Sequence, residues 1–395
     1  MRDIGEAASR GGHLDILKAL RDNGLLHWNR DYCASAVMGG HFEVLKWLRD
    51  NKCSWGFSMT EAAKKGNLEL MKWMIKNGCS VDGLISLDAA EHGHLEVLKY
   101  LHHKHDMLHE NVHLYAAEGG YIEILKWLIS IKKVNPNDKD LCGYAAKGGH
   151  LELLQWLRQN GFPWSYDTCH SAADDGHLEV LKWALQNGCI WNSWDLEKAA
   201  NGGHLETIEW VKTNESVKMW CTSAFHLAAE NGHLEVLKWL AINFPHNMTS
   251  SLSSSAAEHL EVLQWLEQYP CDWDENTCAN AAENLDSLQW LKQKGCPWDE
   301  STTYRAAFTG NLYILKWLRE NGCPWDERTC HGAAEGGHLE VLQWARRNGC
   351  PWDGTTTMEA ALKGHMELLK WAIQNGCKWK GTQSIEIIAN KMLTE

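Results

Sequence analysis

Proline is scarce in this chain, 7 residues in 395, so neither polyproline segments nor proline-kinked helices can be a main theme. Long apolar runs are missing too. No stretch approaches the ~18 residues that a membrane-spanning helix needs, and no membrane association is expected. Nor is there an excess of positive charge: Lys and Arg number 38 against 51 Asp and Glu, a formal net charge of −13. That sign opposes the phosphate neutralisation behind most sequence-independent affinity for nucleic acid, which is therefore not expected as a partner. No P-loop, Rossmann fingerprint or nucleophile elbow occurs. Met1 to Gly12 already reads as part of a repeat, so no secretion signal is expected. The absences together point to a non-enzymatic, cytoplasmic protein with no cofactor and no metal.

What the chain has in abundance is repetition. The phrase Gly-Gly-His-Leu-Glu-Val-Leu-Gln-Trp at Gly336–Trp344 recurs with its anchor at His13, His41, Asn67, His94, Tyr121, His150, His177, His204, His233, His259, Asn284, Asn311, His338 and His365. Successive anchors are 25 to 29 residues apart, mostly 27. A period in that range marks a solenoid of one stacked supersecondary unit. The expectation is a single all-α solenoid over 1–395 with about fourteen repeats, its helices stacked roughly 9–10 Å apart.

One copy shows the unit. In Trp325–Cys350, Asp326 offers a side-chain oxygen to the free N–H groups of a first helix, in which Ala333-Ala334 permits close approach. Gly336-Gly337 ends that helix. His338 then opens a second one, with Leu339, Val341, Leu342 and Ala345 at helical spacing. Asn348-Gly349 stops it, and Cys350-Pro351-Trp352 makes a corner before Asp353 caps the next helix. Pairs such as Glu43 with Lys46 and Glu179 with Lys182 recur on the second helix and mark a solvated face.

The frame breaks in places. Ile131–Asn137 and Lys212–Lys218 lengthen a corner, and at Ala257-Glu258-His259 and Ala282-Glu283-Asn284 the glycines of the inner turn are gone. A tighter turn or a merged helix is expected there, making about 244–291 irregular. A capping helix is expected at about 382–394, where Ala-Ala has become Ile387-Ile388.

Cysteine and tryptophan follow the same register. Cys53, Cys79, Cys189, Cys271, Cys296, Cys323, Cys350 and Cys377 share one corner position. Helices packed roughly 8–10 Å apart separate neighbouring rungs beyond the ~7 Å that a disulfide spans, so buried, reduced thiols are expected. Trp recurs on the second helix, as at Trp183 and Trp344, and in the corner, as at Trp164 and Trp325. Aromatics in register with the core read as inter-repeat packing rather than as a ligand-stacking surface.

At Ser223–Val236 the chain resembles the ankyrin repeat, whose motif runs T-P-L-H-L-A-A-x-x-G-H-L-E-V. His226 matches its first-helix histidine, Ala228-Ala229 its alanine pair and Gly232-His233 its inter-helix turn. The family repeat is about 33 residues long, and the residues missing here fall where it carries a β-hairpin finger, so fingers reduced or absent are expected. This shortened, Trp-rich form is similar to ankyrin-type repeats of giant viruses of amoebae and of some protists and algae, which implies host cytoplasm if the source is viral. The resemblance further implies a monomeric, non-catalytic scaffold that binds other proteins on a concave face made by the first helices. An alternative is an adaptor or effector recruiting targets to machinery such as a ubiquitin ligase, which needs a second module that the sequence does not show.

On that face the two positions after Ala-Ala vary from copy to copy while the framework stays fixed. The candidate partner-binding residues are Lys64, Lys65, Glu91, Glu118, Asp174, Asp175, Glu230, Phe308 and Glu335, with a basic spot at Lys64-Lys65 and a mostly acidic stretch from Asp174 to Glu335 that favours a basic partner surface. Drift on a solvated face would give the same variation. One motif points elsewhere. His109-Glu110-Asn111-Val112-His113 matches H-E-x-x-H, which in zinc peptidases sets two imidazole ligands and a general base on one helical turn. In the repeat frame His109 stands where Asp starts a first helix, and no H-x-x-G-x-x-H continuation follows. A polar corner is favoured over a zinc site or metalloprotease built from His102, His103, His105, His109 and His113.

Overall fold

The computed structural model describes residues 4–26, 28–165, 167–191, 193–213 and 222–379. Their regular structure is 28 α-helices and two short 3₁₀ turns, with no strand among the described residues. The helices pair in chain order into the repeats that the anchors mark, and the β-hairpin fingers are absent there. Two compact units are present, 1–195 and 196–395. Within each, first helices of consecutive repeats pack against one another and second helices form a row of their own. The expected helix at 382–394 and most of the Lys212–Lys218 corner lie outside the described residues.

Local chemistry explains each boundary. Asp326 accepts from the Arg328 N–H at 3.0 Å and starts helix Glu327–Glu335, which buries Thr329, Cys330, Ala333 and Ala334. Gly337 sits at φ 76°, a left-handed backbone that glycine adopts without penalty, and the His338 N–H donates back to Ala333 at 2.8 Å. Helix Leu339–Arg347 then buries Val341, Leu342 and Ala345. Asn348 closes it by donating from Nδ2 to the Trp344 carbonyl at 2.8 Å, with Gly349 at φ 85° behind it. Glu43–Lys46, Glu96–Lys99 and Glu179–Lys182 pair at 2.9, 2.7 and 2.7 Å on the second helix, with the glutamates well exposed; such pairs stabilise little.

The tryptophans pack on each other, as their register implies. The corner indole meets the second-helix indole of its own repeat, at 5.8 Å for Trp164–Trp183 and 5.9 Å for Trp325–Trp344. A basic side chain from the preceding second helix lies over the corner ring: Arg158 over Trp164 at 4.4 Å and Arg319 over Trp325 at 4.2 Å. Those arginines also donate to the Phe162 and Cys323 carbonyls. The clamp ties one repeat to the next. These rings are half-buried, however, and form a wall beside the core rather than part of it.

In the irregular stretch the two missing residues shorten the first helices to four residues at Leu252–Ser255 and six at Glu275–Asn280, against nine in Glu327–Glu335. The turn tightens and the helices do not merge. His259 and Asn284 donate their N–H three residues back, to Ala256 at 2.8 Å and Ala281 at 2.9 Å, with no left-handed glycine.

The cysteines depart from expectation in one respect. Cys169 and Cys189 form a disulfide with Cα atoms 6.6 Å apart. The rung-to-rung argument stands, but the partner comes from the first helix of the same repeat, three residues before Ala-Ala. In the same register Cys33 faces Cys53, Cys278 faces Cys296 and Cys330 faces Cys350 as free, buried thiols.

Candidate interaction face

The residue after Ala-Ala is held by its backbone. In at least six copies the ring of the inner-turn histidine reaches back one repeat and donates from Nε2 to that residue's carbonyl: His94 to Lys64 at 2.7 Å, His150 to Glu118 at 2.8 Å, His177 to Lys147 at 2.9 Å, His233 to Asn201 at 2.8 Å, His259 to Glu230 at 2.8 Å and His365 to Glu335 at 3.1 Å. These imidazoles make no bond to their own helix start, where sequence position alone would put them. Where asparagine replaces histidine, capping returns: Asn67 accepts from Leu70 and Asn311 from Ile314, each at 3.1 Å. The turn glycine receives the next repeat's ring. A Cβ on Gly337 would lie 2.5 Å from His365, and one on Gly149 would lie 2.6 Å from His177.

Within each unit the expected partner-binding residues therefore sit at the ends of first helices. In the first unit Lys65, Glu91 and Asp175 are exposed, and Lys64, Glu118 and Asp174 are half-buried. Lys64 lies 3.9 Å from both Glu61 and Asp88, so the basic spot is compensated by two carboxylates, while Lys65 reaches back to the Met38 carbonyl. Glu118 pairs with Lys147 at 2.7 Å and holds that ammonium above its usual range. In the second unit Glu230 is exposed, Phe308 is 37% exposed and Glu335 is half-buried.

Around Glu230 the shortened helices leave a polar cleft of about 430 Å³, lined by Glu230, Ser254, Ser255, Glu258, Asn280 and Arg305. Arg305 is drawn to Glu283 at 3.5 Å, and Asn280 donates to Ser254. Glu258, which lines this cleft, was not among the partner-binding residues singled out from sequence. The available signal was the column rather than the row, since residues one repeat apart in register, such as Glu118 and Lys147, become neighbours.

Among the described residues, His109 and His113 of the H-E-x-x-H motif belong to no converging set of three donor side chains. His109 does the work of the helix-starting Asp, with Nδ1 accepting from the Asn111 N–H at 3.1 Å. His113 is buried and its Nε2 lies 2.7 Å from Asp138, whose other oxygen accepts from the Asp140 N–H at 2.9 Å and starts the next first helix. His102 and His105 instead pack on Trp127 and Tyr100. Each motif imidazole gives one ring nitrogen to the framework.

Family models for ankyrin repeats match residues 86–167, 112–195 and 196–241. No curated protein matches the chain. Among solved structures, the crystal structure of the pentatricopeptide repeat protein PPR10 from maize aligns with 98% of this chain and 75% of its own length, at 12% identity and a TM-score of 0.33. No helix among the described residues is long and apolar enough to cross a membrane.

Proposed function

Because this is an ankyrin-repeat protein, built of a module that generally serves protein–protein interaction, we propose that it is a non-catalytic scaffold whose first-helix face takes up a basic segment of a partner protein. The observation behind this reading is the histidine-to-carbonyl bond. It fixes the backbone of the residue after Ala-Ala whatever side chain that residue carries, so the side chain can vary without loosening the stack. Positions of that kind suit recognition, which needs rigid placement and free choice of chemistry. In the second unit the polar cleft adds two carboxylates, Glu230 and Glu258, with Phe308 exposed further along.

The test is affinity capture of a partner followed by charge reversal. Glu230→Lys with Glu258→Lys should weaken binding by about tenfold, roughly 1.4 kcal/mol, and flatten its salt dependence. Reversing the solvated pair Glu235 and Lys238 should leave binding unchanged. The face is wrongly assigned if the second exchange proves the more harmful.

A further inference from the structure

We propose that the second unit binds a divalent transition-metal ion of the zinc class on His331, Glu335 and Glu359. His331 and Glu335 are four residues apart in helix Glu327–Glu335 and so share a face, and Glu359 faces them from helix Gly354–Leu362 of the next repeat. The His331 Nε2 lies 3.9 Å from Glu335 Oε2 and 3.8 Å from Glu359 Oε1, and one donor atom from each residue lies within 4.8 Å of the other two. Hydrogen bonds close at about 2.7–3.2 Å, so the imidazole and the two carboxylates converge without bonding one another. A triangle with these sides holds a point no more than about 2.5 Å from all three corners, against zinc–donor lengths of about 2.0–2.2 Å. Tetrahedral zinc, whose donors stand about 3.4 Å apart, draws the imidazole edges in by about half an ångström and the two carboxylates together by up to about 1.4 Å, a movement that rotation of two glutamate side chains supplies.

The surroundings fix the donors in place. The Tyr304 hydroxyl donates to Glu335 Oε2 at 3.1 Å, an outer-shell bond of the kind that orients metal-binding carboxylates. The Glu335 carbonyl is held by His365 Nε2 at 3.1 Å. Both carboxylates are largely sheltered, with side-chain exposures of 22% and 17%. Lys363 competes for Glu335 at 3.5 Å, but it is half-exposed and can swing into water. Two carboxylates against that one ammonium favour a cation, and imidazole with carboxylate is a donor set that zinc accepts. Three protein donors leave a further coordination position for water.

Calorimetric titration of the full chain with Zn²⁺ alone, in a non-chelating buffer, tests the site. One ion per chain is expected. His331→Ala and Glu359→Gln should each weaken uptake by well over tenfold, and Tyr304→Phe by about tenfold. Lys363→Met should tighten uptake, a gain that mere loss of structure would not produce. His109→Ala and His113→Ala should leave it unaltered. Glu359→Gln preserves side-chain shape, so a matching helical circular dichroism spectrum separates loss of a ligand from loss of fold. Absence of saturable Zn²⁺ uptake, or uptake unchanged in His331→Ala and Glu359→Gln, overturns the proposal.

Discussion

Every repeat bends twice, and the two bends obey different rules. At the inner turn the left-handed glycine has the next repeat's ring against it, as Gly337 has His365 and Gly149 has His177. At the outer corner Gly349, Gly322 and Gly188 adopt the same backbone with nothing within 4 Å. The inner turn shows two main solutions, left-handed glycine or a deletion that tightens the turn, as at His259 and Asn284. The outer corner accepts much more, including Lys52 at φ 63° and Lys132 at φ 58° in the glycine's place. Conformation alone constrains the corner, whereas conformation and a packed neighbour together constrain the turn.

The largest expected effect is at the turn. Gly337→Ala should lose about 3 kcal/mol, combining ~1–2 kcal/mol for a left-handed alanine with the cost of displacing a ring that holds Glu335. Gly349→Ala should lose only the first part. Gly40, whose φ is 79° but whose downstream neighbour is Asn67 rather than histidine, should behave like the corner. Urea unfolding of the three variants ranks them, and equal losses would break the distinction. Next comes Trp183→Ala, at about 2–3 kcal/mol for half-buried area plus one aromatic pair. A loss below about 1 kcal/mol would show that the wall of indoles stabilises little and is available for binding.

Alkaline pH should act chiefly on the corner thiols. Burial pushes Cys79 and Cys377 up to about 11 and Cys323 up to about 12. Their folded-state values lie above the unfolded value, so the stabilisation they give is complete below about pH 9 and is lost as pH rises towards 11–12. Each thiol should contribute on the order of 2 kcal/mol to that loss. Urea midpoints measured across this range should fall, and less so for Cys377→Ala. The smallest effect runs the other way. Lys52→Gly should stabilise by about 1 kcal/mol by removing a left-handed lysine, readable as a rise in the thermal midpoint.

Much of this was legible in the sequence. Anchor spacing foretold the helix pairs, Asp326 and Asp353 declared themselves as caps, and the recurring indoles identified a packing ladder. What stayed hidden shares one cause: it joins residues whose relation exists only after stacking. His365 looks like the start of its own helix, and its bond to Glu335 depends on how the repeats nest. Cys169 with Cys189, and His331 and Glu335 with Glu359, bring together positions about 20 to 30 residues apart whose meeting follows from repeat height and side-chain direction. His109 was readable as a replaced Asp, but that an imidazole nitrogen can accept the helix-starting N–H is a matter of geometry. On the proposed interaction face the sequence located the variable positions and missed how charges cancel along a column, as Lys64 does between Glu61 and Asp88.

The paired indoles have an optical consequence. Rings held about 6 Å apart exchange excitation before emitting, so polarised light absorbed by one indole is re-emitted by another with its orientation lost. Separating a single pair restores that pair's share of the polarisation. The repeats that hold such a pair therefore carry their own reporter, and their opening could be followed by fluorescence anisotropy without any added dye.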